Sequence, residues 1–330
     1  MVNPEAVLSP LPLKKRLTRL AGRVGLPTVV GLFRLLPLPA ARWVGRSIGL
    51  LLYGVLKRYR NTAHKNLALV YPDLPKRERH RMARAVFLHF GMAVAEFVKL
   101  PQLDRSTVDQ MAVVEGEEHL QQALAKQRGA FIITGHFGNW EFLARWLATH
   151  NYPLNVIARR SEDPETEKLL TNTRLQNGAH VFQRGEAVRP VLQSLRKNEL
   201  VGILPDQNAG DIVVPFFGLP TGTTDGPAVL HLHTKAPLVF SWCTRREDGR
   251  FHILFEPPVA YEPTGDRAAD VLAIMTLVNR HLEGQIRKNP TQWLWLHDRW
   301  RASPWVFERQ EGALQQADST AAEHLAEGKR

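Results

Sequence analysis

The hydrophobic and polar positions of this chain alternate between two periods. Short apolar runs of strand type occur at Val113-Val114, Gly129–Thr134, Leu154–Ala158, His180–Phe182, Leu200–Leu204, Leu238–Cys243 and Phe251–Glu256. Between them lie stretches with apolar residues at helical spacing: 76–100, 117–127, 140–148, 164–177, 187–197 and 268–287. Strand and helix patterns that alternate in this way predict an α/β core, a mixed sheet flanked by helices. In the helix over 76–100, Phe87, Phe90, Gly91, Val94 and Phe97 fit one buried stripe, with Glu96 at its edge. Several of the strands deliver polar groups just past their C-terminal ends: Arg159-Arg160, Gln183-Arg184-Gly185 and Asp206-Gln207-Asn208. Open α/β sheets build their sites there.

One of these junctions carries distinct chemistry. The strand ending at Thr134 runs into Gly135-His136-Phe137-Gly138-Asn139-Trp140-Glu141, and a helical pattern follows at once. On an unbroken helix, His136 and Glu141 would lie roughly 140° apart. They can meet only if the chain turns between them. Gly138 gives a permissive backbone, and Asn139 suits the N-cap of a helix beginning near Trp140. The chemical reading is a general base, His136, with Glu141 as its orienting carboxylate. The competing reading is a structural histidine beside a helix cap. Zinc ligation fits poorly, because the spacing lacks one-face geometry and no third ligand stands nearby.

Totals add a boundary and a location. At 330 residues, 44% of them hydrophobic and 23% charged, the chain has an ordinary globular composition. The single cysteine, Cys243, excludes an intrachain disulfide, and its apolar run marks it as buried. The net charge is +11, yet no Asp or Glu occurs between Ala6 and Pro72, where twelve Lys and Arg fall. The basicity therefore belongs to the N-terminal segment. Its uncharged runs, Val24–Phe33 and Ser47–Leu56, are ten residues each, whereas a spanning helix needs about 20. A cleavable signal peptide is not expected. A stretch such as Lys14–Leu36 suggests a basic helix partly embedded in anionic lipid. A solvated basic face packed on the domain is the alternative. Nucleic-acid binding is not expected, for want of a binding motif.

GHFGNWE, with His-x4-Glu at its centre, resembles the first block of the lipid A late acyltransferases, the lauroyl/myristoyl transferase family within the glycerolipid acyltransferase-like superfamily. The resemblance runs from Arg60 to Trp305. It includes Arg60…Asn66-Leu67…Tyr71-Pro72, Asp206-Gln207, Pro215-Phe216-Phe217-Gly218, Thr223–Pro227, Lys235-Ala236-Pro237 and the ending Trp293…His297-Asp298-Arg299-Trp300. It implies a glycerolipid-acyltransferase-like fold with three parts: a membrane-associating segment (1–72), a catalytic domain (73–305, with a helical lead-in over 76–100 and an α/β core over 111–300) and a polar tail (306–330).

It also implies transfer of a fatty acyl group from acyl carrier protein, or acyl-CoA, to a hydroxyl of a lipid A precursor, without a cofactor or metal. The setting would be the cytoplasmic face of a bacterial inner membrane, with anionic lipids as neighbours; since the family commonly carries one N-terminal membrane helix, the resemblance also leaves open a poorly hydrophobic span around Gly22–Ala41. His136 and Glu141 would be catalytic. Arg159, Arg184, Gly185, Asp206, Gln207 and Asn139 would bind substrate, with Asp206 placed to pair an arginine. Backbone N–H groups near Asn139–Trp140 are the candidate oxyanion donors. The Pro215–Gly218 and Thr223–Pro227 loops would wall the acyl groove, and the Trp-rich ending would anchor at the interface. Asp206-Gln207 stands where glycerol-phosphate acyltransferases carry a Glu-Gly-Thr-Arg-type block, which favours the lipid A branch. The alternatives are transfer to another glycolipid, an ornithine lipid or a mannosylated inositol lipid, or a non-catalytic lipid-binding protein. A serine hydrolase is not expected, since no Gly-x-Ser-x-Gly occurs.

Overall fold

The computed structural model describes residues 25, 27–161 and 163–305. The start of the basic segment and the expected polar tail over 306–330 lie outside these residues. A seven-stranded sheet carries the fold, in the order β1-β9-β8-β2-β5-β3-β4. Its strands are β1 (Ala112–Glu115), β2 (Ala130–Ile133), β3 (Leu154–Ala158), β4 (Ala179–Gln183), β5 (Leu200–Ile203), β8 (Leu238–Arg245) and β9 (Phe251–Phe255). From β8 to β4 every neighbour is parallel. β9 runs antiparallel to β8, and β1 joins it in parallel at the edge.

Strand alternation sends side chains to two cores. Phe131 and Ile133 of β2 pack with α10 (Arg267–Lys288), whose Ile274, Met275, Val278 and Leu282 form its buried stripe. Ile132 faces the other way, toward Phe142, Leu143, Trp146 and Leu147 of α6 (Trp140–Thr149). Every strand expected from the apolar runs is present, and so are the helices between them. Two features read only as loops are ordered elements: the hairpin β6 (Ile212–Phe216) and β7 (Leu219–Thr223), and the helix α9 (Gly226–Thr234).

In the basic segment residues 27–35 are helical, and α1 (Leu38–Val55), α2 (Lys57–Val70) and the long α3 (Lys76–Lys99) follow. Among the described residues no helix is long and apolar enough to cross a membrane. α1 lies on α3 with Gly45 and Gly49 against the backbone at Gly91 and Phe87; a Cβ at any of the three glycines would collide with a carbonyl oxygen. The face of α1 turned away from α3 is apolar and uncovered, with Trp43 70% and Leu51 63% exposed.

The stripe expected along α3 is corrected in two places. Val94 is exposed, and Glu96, expected at the edge, is fully buried. The helix is covered on more than one side, so a single 3.6-residue stripe does not describe it. The Trp-rich ending is corrected too. Trp293, Trp295 and Trp300 are core residues, 0–1% exposed, rather than interface anchors. Trp293 meets Trp295, Trp300 and Phe216 edge to face, Trp300 stacks on Phe216, and Trp293 and Trp295 donate to Asp206 and the Pro290 carbonyl.

Candidate active site

β2 ends at Ile133, and the chain must turn before α6. Gly138 makes the turn at φ +62°, where a Cβ would strike the Cys243 carbonyl oxygen. The turn is tied down on every side. The Gly138 N–H donates to the Gln292 carbonyl at 2.8 Å, the Asn139 N–H to the Cys243 carbonyl at 2.7 Å, and the Leu294 N–H to the His136 carbonyl at 3.0 Å. Asn139 caps α6 as its sequence position predicts, its Oδ1 accepting from the Phe142 N–H at 2.9 Å.

His136 thus stands fixed at the C-terminal end of the sheet, but its partner is not the expected one. Asp206, at the end of β5, accepts from His136 Nδ1 with Oδ1 at 2.8 Å. Its Oδ2 accepts from the His136 backbone N–H at 2.8 Å and from Trp293 Nε1 at 2.9 Å. Burial pushes the Asp206 carboxyl up, but His136 and these hydrogen bonds outweigh it and hold the group below the usual carboxylate range. An ionised Asp206 keeps the ring proton on Nδ1 and leaves Nε2 as the nitrogen available to substrate.

Glu141 turns elsewhere. It accepts from Arg174 on α7 (Pro164–Gln176), with Nη2 at 2.6 Å and Nε at 3.0 Å, and from Trp140 Nε1 at 3.0 Å. The first turn of α6 aims Glu141 across the site toward α7, while His136 stays behind the turn, so the expected His136–Glu141 contact is replaced by two separate pairs. Burial acts to lower the Arg174 guanidinium, and Glu141 outweighs it, keeping the cation charged.

His136 and the Glu141–Arg174 pair border one cavity of about 420 Å³, with Asp206 buried behind His136. His136, Trp140, Glu141, Arg174, Gln207 and His297 line its polar part. Its apolar arm runs between α6 and the sheet past Leu143, Leu147, Val156, Gly202, Leu154 and Ala179. Leu154 and Ala179 begin β3 and β4, whereas His136 lies at the opposite, C-terminal ends of the strands. At about 3.3 Å per residue, the arm reaches roughly 16 Å along the sheet.

Arg159 and Arg184 both line the cavity and are both exposed. They stand side by side, because the Arg184 N–H donates to the Ala158 carbonyl at 2.9 Å. Arg184 also lies 4.0 Å from Asp211. Gly185 is outside the cavity lining, in the left-handed region at φ +98°. Asn139 is buried and does not line the cavity. Its N–H, expected to face an oxyanion, is engaged by Cys243. Asp206 pairs His136 rather than an arginine. Of the two loops, Thr224, Gly226 and Pro227 line the cavity, while Pro215–Gly218 do not and Phe216 is core.

Two further residues join the site without having been singled out for it. Nothing in its local pattern marks Arg174 among the charges of α7. His297 sits in the Trp-rich ending but lines the cavity, its Nε2 accepting from the Asn208 N–H at 3.1 Å. Burial above all, with His136 and Arg299 adding to it, pushes His297 below the ordinary histidine value.

A histidine held by a buried carboxylate stands at the C-terminal ends of parallel strands, beside a cavity whose lining is apolar toward the start of β3 and β4. Residues 21–302 match the family described as bacterial lipid A biosynthesis acyltransferase, and the chain belongs to that family. It is 28% identical over 281 residues to the lipid A biosynthesis palmitoleoyltransferase of Escherichia coli K12, covering 84% of this chain and 90% of that one. With the lauroyltransferase of the same organism the identity is 28% over 273 residues, 82% and 88% of the two chains. A phosphatidylinositol mannoside acyltransferase of Mycobacterium tuberculosis is 26% identical over 247 residues, 72% and 76% of the two chains.

Proposed function

We propose that this acyltransferase moves a fatty acyl group from a thioester donor, acyl carrier protein or coenzyme A, to a hydroxyl of a lipid A precursor. The observation that carries the reading is the position of His136, with Nδ1 held by Asp206 and the ring at the head of a deep apolar arm. The donor's acyl chain would fill the arm, placing its thioester carbonyl beside Nε2. His136 takes the proton of the acceptor hydroxyl as its oxygen attacks that carbonyl. Asp206 stabilises the imidazolium that forms. The tetrahedral oxyanion is met by the first N–H groups of α6, those of Trp140 and Glu141. Collapse breaks the carbon–sulfur bond, and the departing thiolate receives from His136 the proton that came from the acceptor hydroxyl. No covalent acyl-enzyme is needed.

Glu141 and Arg174 then hold the polar body of the acceptor, with Gln207 and His297 opposite. Arg159 and Arg184 at the rim suit a phosphate, because a guanidinium fork matches its oxygens. The uncovered face of α1 rests on the cytoplasmic leaflet of the inner membrane. Trp43, Leu51 and Val55 of α1, with Leu35 just before it, would enter the lipid, and Arg46 of α1 and Arg58 of α2 would meet anionic headgroups. The mannoside acyltransferase among the relatives supports a second reading, in which the acceptor is a mannosylated inositol lipid.

Mass spectrometry of lipid products tests both. Purified protein receives each acceptor with donors of graded chain length, alongside His136→Ala. A gain of one acyl mass on lipid A precursor, absent with the variant, supports the first reading. Gain only on the mannoside supports the second, and full activity of folded His136→Ala removes the mechanism.

A further inference from the structure

Among the described residues, the most heavily bonded buried side chain outside the cavity is Glu96, on α3. It is 1% exposed. Its carboxylate accepts from Arg245 Nη1 and Nη2 at 2.5 Å each, from Arg42 Nε at 2.6 Å and from Asn139 Nδ2 at 2.7 Å. Burial pushes this carboxyl up, but Arg245 and Arg42 outweigh it and hold it below its usual range. Four donors from three separate elements therefore converge on one side chain: Arg42 from α1, Arg245 from the end of β8 and Asn139 from the His136 turn.

Seven residues earlier on the same face of α3, His89 donates Nε2–H to the Gly138 carbonyl at 2.9 Å. His89 thus holds the carbonyl of the Gly138–Asn139 peptide and Glu96 the Asn139 side chain, in the turn that positions His136 and starts α6. The other end of the connection is equally tight. α1 meets α3 backbone to backbone at Gly45, Gly49 and Gly91, so it cannot shift without moving Arg42. Of the three residues that donate to Glu96, Arg42 alone comes from the helix with the uncovered apolar face.

We propose that Glu96 is a positioning residue that transmits the seating of α1, through Arg42 and Asn139, to the His136 turn and so sets the turnover of the site. The kinetic part rests on the acyl-transfer reading; the mechanical part does not. A purely structural network would fail globally when cut. A positioning link fails locally, at the turn.

The test uses the full chain on vesicles of phosphatidylglycerol and phosphatidylethanolamine. Arg42→Gln cuts the α1 end while leaving Glu96 paired with Arg245. Arg42→Lys keeps a charge able to approach Glu96. Hydrogen exchange by mass spectrometry follows the peptide over 135–143, with β4 as the reference. The expected result in Arg42→Gln is exchange about tenfold faster at the turn, unchanged exchange in β4, and at least partial rescue by Arg42→Lys. With lipid A precursor and a thioester donor, kcat should fall about tenfold at unchanged KM. The kcat effect of Arg42→Gln should also shrink in an Asn139→Ala background, since the route passes through that side chain.

An unchanged turn, or equal quickening of turn and β4, overturns the proposal. A quickened turn with unchanged kcat overturns its link to turnover. If the wild-type protein transfers no acyl group while exchange behaves as expected, the assigned reaction is wrong and the mechanical link stands.

Discussion

Asp206 holds His136 at two points, the ring through Oδ1 and the backbone N–H through Oδ2, each at 2.8 Å. The strand register makes this possible. β2 and β5 are parallel neighbours with Ile133 opposite Ile203, so residues 136 and 206 leave the sheet at equivalent positions, three residues further on. A carboxylate with both oxygens so engaged fixes both the tautomer and the direction of the imidazole. Asp206→Asn puts an amide where the carboxylate was, and its N–H₂ disfavours a proton on Nδ1. The expected outcome is a fall in kcat of about 10²–10⁴ with KM little changed. Single-turnover acyl transfer beside a thermal melt checks it; full activity in the folded variant would remove Asp206 from the mechanism.

Glu141 and Arg174 form a second pair, with side-chain exposures of 12% and 21%. Arg174→Gln leaves the Glu141 carboxylate without its counter-charge in a partly dry site, at an expected loss of about 2 kcal/mol. Glu141→Gln should cost less, because the longer Arg174 side chain can turn its charge toward water. The double variant should be more stable than the sum of the two losses implies. Both single variants should raise KM for the acceptor more than KM for the donor. Denaturant titration and steady-state kinetics separate these effects, and an additive cycle would mean that the pair does not act as one.

What local pattern could reveal, the sequence showed. A strand, a permissive glycine and a capping asparagine occupy neighbouring positions, so the His136 turn and the start of α6 were legible, as was the delivery of Arg159, Arg184 and Asp206 past strand ends. The partner of His136 was not. Glu141 is near in sequence and Asp206 is 70 residues away, and only the β2–β5 register brings the second one in. The same limit hid the burial of Glu96, whose counter-charges come from Arg42 and Arg245, 54 and 149 positions distant. Tryptophans among cations at the chain's end have the composition of a membrane interface. Their burial follows from stacking against a hairpin, β6–β7, that its Pro- and Gly-containing sequence did not announce.

The apolar arm predicts a donor preference that can be changed. Ala179 is buried at the beginning of β4, far from His136, and lines the arm. Ala179→Leu adds three carbons there and shortens the space for a chain. Each methylene that loses its place forfeits about 0.8 kcal/mol, roughly fourfold in preference. The product distribution should move to chains shorter by a few carbons, with the rate on the shortest donors preserved. Competition among donors of graded length, read by mass spectrometry, tests this. An unchanged distribution would mean that the acyl chain lies elsewhere.

His89 makes stability depend on pH in a window of its own. Burial pushes it down to about 4, Arg245 adding to the effect, while the bond to Gly138 and the charge of Glu96 oppose it. The folded value lies below the unfolded one near 6.5, so the unfolded chain binds more protons between the two. Stability is therefore full above pH 6.5 and declines as pH falls toward 4, by about 3 kcal/mol for this residue. Carboxylates held below their usual range, such as Asp206 and Glu96, act only at pH values under that of an ordinary carboxyl, mostly below this window. His64 and His297 are lowered as well and act within it, but they do so equally in wild type and variant. His89→Gln keeps an N–H donor for the Gly138 carbonyl and cannot titrate. Between pH 7.5 and 4.5 it should lose about 2–3 kcal/mol less stability than wild type in urea unfolding. Equal losses in the two proteins would place the acid sensitivity at another group.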